Sequence, residues 1–232
     1  MMILALESSA KPGSCAVLAD GEILGQYFQN NGLTHSRTLL SMTESLLENL
    51  GVAANDIDLI AVARGPGSFT GVRIGVSAAK GLAWGLDKPV CGVSTLEAMA
   101  YQTLVPDAVI CPVMDARRGQ VYNALFRWED GKPVRLCEDR AIALSDLAEE
   151  LKSYNRQCLL CGDGAAISFQ HLTDANVPCR MEHGLLRYQT AYGVALCAAN
   201  AEPIPATELE PSYLRPSQAE RELGAKTEKT EG

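Results

Sequence analysis

The chain has 232 residues, 47% of them hydrophobic and 21% charged, an ordinary globular composition that supports one large domain or two modest lobes. Lys and Arg number 20 against 28 Asp and Glu, and the net charge of -8 argues against a free-standing binder of phosphate backbones, so any nucleic acid would have to be held by another subunit. No run of about eighteen apolar residues occurs, and Met1 to Ala10 lacks the basic start, apolar stretch and small-residue cleavage site of an export signal; a cytoplasmic protein with no membrane partner is expected.

Met2 to Leu6 reads as a strand buried on both faces and Ser14 to Ala19 as a second, with Asp20-Gly21 turning tightly into Glu22 to Gln29. From Thr34 the period changes. Leu39, Leu40, Thr43, Leu46, Leu47 and Leu50 recur at three- and four-residue intervals, and Gly51 is placed to end that helix in a left-handed turn. Leu59 to Ala63 predicts a strand, Gly71 to Leu86 a helix, Val90 to Val93 a strand and Thr95 to Leu104 a helix. The first hundred residues thus spell βββαβαβα.

The order then starts over. Strands are predicted at Val109 to Met114, Gln120 to Trp128 and Val134 to Ile142, with a turn at Glu129-Asp130-Gly131. Ser145 is placed to cap a helix through Lys152. Cys158 to Cys161 reads as a strand, Ala165 to Met181 is ambiguous, and Gln189 to Ala201 reads as a final helix. The repeated order predicts an α/β protein of two lobes, residues 1–104 and 105–216, followed by a disordered tail over 217–232. The 8 cysteines stand singly among apolar neighbours and read as core residues in a reducing compartment.

Arg64 to Gly85 (RGPGSFTGVRIGVSAAKGLAWG) is crowded with glycine. The spacing fits neither a phosphate loop, which needs Gly, four residues and Gly-Lys-Ser/Thr, nor the dinucleotide fingerprint, since Gly65, Gly67 and Gly71 are spaced GxGxxxG. At 100° per residue, Gly71, Gly75, Ala78, Leu82 and Gly85 share one stripe of the helix. Each interior glycine costs a helix roughly 1 kcal/mol against alanine, so close approach of another helix is the natural reason for them. That neighbour is either the chain's own Thr34 to Leu50 helix or a helix of another protein.

The blocks ILALESS, ARGPGSFTGVRIGVSAAKGLA, PVCGVSTLEAMA, DARRGQVY and EPSYLR together resemble the TsaB (YeaZ) family across nearly the whole ordered chain. The resemblance implies a fold of the actin, Hsp70 and sugar-kinase type (ASKHA), with two βββαβαβα lobes flanking a cleft. It also implies an accessory, non-catalytic subunit of the bacterial complex that adds threonylcarbamoyl to the adenosine beside the anticodon of tRNAs reading codons that start with A. TsaD would be the catalytic partner, TsaE a further member, and tRNA would be met only through the complex. The two helices of the first lobe would pair with TsaD or with a second copy. The expected interface residues are Gly71, Gly75, Ala78, Leu82 and Gly85 of one helix and Leu39, Thr43 and Leu46 of the other.

The resemblance further implies that Thr95 and Met99 stand where the catalytic paralogue has two metal-binding histidines, and neither side chain replaces an imidazole. No catalytic residue, metal or cofactor is therefore expected. Cys158 and Cys161 have the spacing of half a zinc site without a second pair. Glu7 takes the place of an aspartate that faces the cleft in many relatives, which leaves weak nucleotide binding open. Arg117 and Arg118 fit an anion site, a solvated turn or an inter-lobe ion pair, and receive no role. The rival reading is a small kinase or ATPase working in its own cleft around Glu7. A peptidase would need a nucleophile-base pair or a metal that the sequence does not display.

Overall fold

The computed structural model describes residues 1–215; the tail expected over 217–232 lies outside the described residues. Met2–Glu7 (β1), Gly13–Ala19 (β2) and Glu22–Gln29 (β3) form an antiparallel meander, and Leu59–Gly65 (β4) and Val90–Ser94 (β5) add in parallel to give the order β3-β2-β1-β4-β5. The Asp20-Gly21 turn has positive φ at both residues, 50° and 88°, the geometry a two-residue hairpin requires.

His35–Leu50 (α1) and Phe69–Leu86 (α2) cover one face of this sheet. Gly51 closes α1 at φ 65°, its N–H bonded to the carbonyls of Glu48 and Leu47. Because side chains alternate along a strand, Leu4, Leu6, Ile60 and Val62 meet α1 and α2, while Ile3, Ala5, Leu59 and Ala61 meet the opposite layer.

The second lobe repeats the design with interruptions. Val109–Asp115 (β6) is central, and the second strand comes in two pieces, Gln120–Asn123 (β7) and Phe126–Glu129 (β8), both antiparallel to β6. The third also has two, Lys132–Arg135 (β9) on β8 and Arg140–Ala143 (β10) on β7. The break has a cause in Pro112 of β6, which has no N–H to give a neighbouring strand. Beside it Asn123 Nδ2 donates to the Pro112 carbonyl at 3.1 Å and to the Ala124 carbonyl at 2.9 Å.

Leu144–Ser153 (α4), Cys158–Cys161 (β11), Ala165–Asp174 (α5) and Cys179–Met181 (β12) complete the lobe, so the ambiguous stretch is a helix followed by a parallel edge strand. Ser145 does not cap α4. The cap position is Ala143, and the Ser145 hydroxyl bonds Asp146 instead.

The division at residue 104 needs correction. Thr95–Tyr101 (α3) sends Leu96, Met99 and Ala100 into the core of the second sheet and Ala98 into that of the first, whereas Ala191–Ala198 (α6), late in the chain, sends Ala191, Val194 and Ala195 into the core of the first. Helix α6 thus belongs to the first lobe, and α3 lies between the two sheets, packed against α6. A side chain on Gly193 would overlap the Ala98 carbonyl, so only glycine permits this approach. After α6 the chain stays with the first lobe, where Ile204 exchanges backbone hydrogen bonds with Val90 at 2.8 and 2.9 Å. Among the described residues no helix is long and apolar enough to cross a membrane.

Candidate functional site

Two surfaces merit attention, the outward side of α1 and α2 and the cleft between the lobes. Helix α2 starts two residues before the expected Gly71, because the Ser68 hydroxyl accepts from Gly71 N at 3.3 Å and caps it. Its core face is Val72, Val76, Ala79 and Ala83, with Gly71 and Gly75 beside them, all buried. A Cβ on Gly71 would overlap the Ser8 carbonyl oxygen, and one on Gly75 would overlap the Ser8 hydroxyl. Those two glycines therefore make room for the protein's own loop after β1, and their assignment to a partner surface is corrected.

Leu39, Thr43 and Leu46 are likewise buried inside the lobe, where Leu39 and Leu46 join the core formed with β1, β2 and β4. Ala78 and Leu82 are half-buried and Gly85 is exposed. The outward side consists instead of Thr70, Arg73, Ser77, Gly81 and Trp84, spaced by three and four residues, with Leu40 on α1. Trp84 is 86% exposed and Leu40 51%. An open groove of about 580 Å³ runs between the helices, lined among others by His35, Leu40, Phe69, Arg73, Ile74 and Ala78. Of the residues expected on the partner face, Gly71, Gly75, Leu39, Thr43 and Leu46 therefore face the chain's own interior. The aliphatic run Val72, Val76, Ala79, Ala83 was the signal that marks the inward side.

The cleft, of about 470 Å³, is bounded by Ser9 and Lys11 after β1, Ser68 and Phe69 at the start of α2, Asp115 and Arg117 after β6, Asp163 after β11, and Tyr213 and Arg215 near the end of the described chain. Glu7 lies beneath it rather than at its mouth, being 1% exposed. Its Oε1 accepts from Ser9 N at 2.5 Å, and among the described residues Oε2 has no partner. Burial pushes the carboxyl up to about 7, opposed by the Ser9 hydrogen bonds and reinforced by the charge of Asp163. Asp163 is also raised, first by burial, although Gln189 Nε2 donates to it at 3.0 Å.

Space that a phosphate loop would leave open is filled here by backbone. Side chains on Gly67 and Gly71 would overlap the carbonyl oxygens of Ser9 and Ser8, and Ser68 N–H is taken by the Ser9 carbonyl at 2.6 Å. Carbonyl oxygens repel an anion that backbone N–H groups would attract. Arg117 and Arg118 form a left-handed turn at φ 67° and 56°, and the exposed Arg117 side chain lies 3.3 Å from Asp115. The inter-lobe ion pair is made elsewhere: Arg135 of the second lobe reaches Glu97 of α3 at 2.7 Å and Asp139 at 2.6 Å, and Ser94 donates to Asp139 at 2.6 Å. The sequence reading did not find this cluster.

Thr95 and Met99 of α3 are both buried. Met99 packs among Leu96, Ile110, Met114 and Cys161, so apolar core occupies the place where a metal-binding imidazole would have to project. Cys158 and Cys161 point to opposite faces of β11, Cys158 into the core under α4 and α5 and Cys161 into the core around α3. They cannot share a metal.

Two sheets of one topology, a pair of helices packed together between the lobes and a cleft between them define the actin, hexokinase and Hsp70-like (ASKHA) fold. The same architecture is met in the ethanolamine utilization protein EutJ from Carboxydothermus hydrogenoformans, at TM-score 0.51 and 13% identity over 85% of this chain and 90% of that one. YeaZ from Pseudomonas aeruginosa is much nearer, with TM-score 0.78 and 26% identity over 92% of this chain and 99% of that one.

Residues 29–177 match the sequence model of the family described as TsaD, tRNA N6-adenosine threonylcarbamoyltransferase. The tRNA threonylcarbamoyladenosine biosynthesis protein TsaB of Bacillus subtilis is 38% identical over 174 residues, which is 75% of this chain and 76% of that protein. The chain belongs to the TsaB (YeaZ) family.

Proposed function

We propose that the protein takes part in threonylcarbamoyladenosine formation in tRNA as a non-catalytic scaffold, pairing through the outward side of α1 and α2 with the catalytic subunit TsaD. The observation that carries this reading is a contrast between α3 and the outward side of α1 and α2. Thr95 is buried and Met99 is sealed in apolar core, while Leu40 stands in solvent at the rim of an open inter-helix groove and Trp84 stands in solvent further along the same side of α2. Large exposed apolar side chains around a groove are the usual mark of a helix-docking surface. Ser77 and Gly81 between them are small enough to let a foreign backbone come close.

The interface residues proposed in place of the buried set are Leu40, Arg73, Ile74, Ser77, Gly81 and Trp84, with Ala78, Leu82 and Gly85 at its edge. A second copy of the chain is the competing occupant of the same surface. TsaE and tRNA would be met in the assembled complex, consistent with the net charge of -8. Size exclusion with light scattering on the chain, on TsaD and on their mixture tests this. A heterodimer that loses stability with Trp84→Glu supports it, and separate elution of the two proteins refutes it. ATP turnover by the isolated chain would favour the rival enzyme in its own cleft.

A further inference from the structure

Phe69 lines both the α1/α2 groove and the inter-lobe cleft, and what holds it in place comes from the far end of the chain. The Tyr213 ring packs on Phe69 with centroids 4.7 Å apart and planes 30° apart. Arg73 closes the triangle, its guanidinium 3.9 Å over the Phe69 ring and its Nε donating to the Tyr213 hydroxyl at 2.9 Å. The segment carrying Tyr213 is built into the fold. Ser212 N donates to the Arg64 carbonyl at 2.7 Å, and the Ser212 carbonyl occupies the space over Gly65, where φ is 119°. Two residues beyond Tyr213, Arg215 Nη1 donates to the Ala116 carbonyl in the second lobe at 3.1 Å. Ala116 directly precedes the left-handed pair Arg117 and Arg118.

We infer that Ser212 to Arg215 is a strap coupling the groove to the cleft, so that a helix seated in the groove tightens the β6–β7 turn of the opposite lobe. The inference rests on the groove being the partner face. Its physical basis is dehydration. The Arg73–Tyr213 hydrogen bond is exposed to water in the free chain, and a partner covering Phe69 and Arg73 removes the competing solvent and strengthens both that bond and the cation–π contact. A better-held Tyr213 holds Arg215, and Arg215 holds Ala116.

The test is amide hydrogen exchange on the full chain, free and with saturating TsaD, with complex formation followed by light scattering in the same samples. Amides of residues 116–119 should exchange about tenfold more slowly in the complex. Tyr213→Phe keeps the ring and removes the hydroxyl, and Arg215→Ala leaves the groove untouched; each should still form the complex and lose most of that protection. A complex whose 116–119 amides are unchanged in the wild type, or equally protected in both variants, overturns the coupling alone. Absence of a complex overturns the reading of the groove, and the coupling falls with it.

Discussion

Gly75 rests against Ser8: the place of a Gly75 side chain is held by the Ser8 hydroxyl, which itself donates to the Gly71 carbonyl at 2.9 Å. The helix and the loop after β1 are thereby locked together at the floor of the cleft. Gly75→Leu should destabilise the isolated chain by about 3 kcal/mol or more through overpacking, which urea denaturation would read as a lower midpoint. An unchanged midpoint would show that the loop yields without cost and that the glycine answers some other need.

Gly81 is the control for that variant. Among the described residues nothing lies within 4 Å of a Cβ placed there. Gly81→Ala should therefore raise stability by up to roughly 1 kcal/mol through helix propensity alone. The same melting experiment checks it, and a loss of stability would mean that the outward side of α2 is covered in the isolated chain.

Gly193 holds the crossing of α3 and α6. With the Ala98 carbonyl in the space of its missing side chain, Gly193→Ala should cost about 1–3 kcal/mol. Because α3 serves both cores and α6 that of the other lobe, unfolding should remain a single transition in the wild type, monitored by fluorescence and far-ultraviolet circular dichroism together. Two separated transitions would contradict this sharing of helices between the lobes.

Glu7 gives a pH dependence of definite sign. Its carboxyl is raised from 4.5 to about 7 in the folded chain, so between those values the native state binds more protons than the unfolded one. Stability is then fullest below pH 4.5 from this group and falls as pH rises through 7, by up to about 3 kcal/mol. Asp163 acts in the same direction, so the Glu7 share is read from the difference between wild type and Glu7→Gln. The fall in urea midpoint between pH 5 and pH 8 should be smaller in Glu7→Gln than in the wild type; an equal fall in both proteins would remove Glu7 from the explanation.

The element order was legible because burial on both faces makes continuous apolar strands, and because Gly51 and the Asp20-Gly21 turn have backbone conformations that few other residues adopt. The repeat in the second lobe was legible as order. Its interruptions were not, since the break beside Pro112 depends on which strand lies next to it. The lobe boundary failed for a related reason: Ala191 to Ala198 is apolar on all sides, and no pattern within a helix says which of two sheets it will cover. Of the residues expected at the interface, Gly71, Gly75, Leu39, Thr43 and Leu46 proved to face inward. A stripe of small residues shows that something passes close by, and only the position of Ser8 reveals that the visitor is the chain's own backbone.

The most direct test of the proposed scaffold role is threonylcarbamoyl transfer to tRNA by this chain alone, by TsaD alone and by the two together with TsaE. Transfer that requires TsaD, that is stimulated by this chain, and that is lost with Trp84→Glu while the variant's melting curve is unchanged is the predicted result. Transfer by the lone chain, or full stimulation by Trp84→Glu, would contradict it.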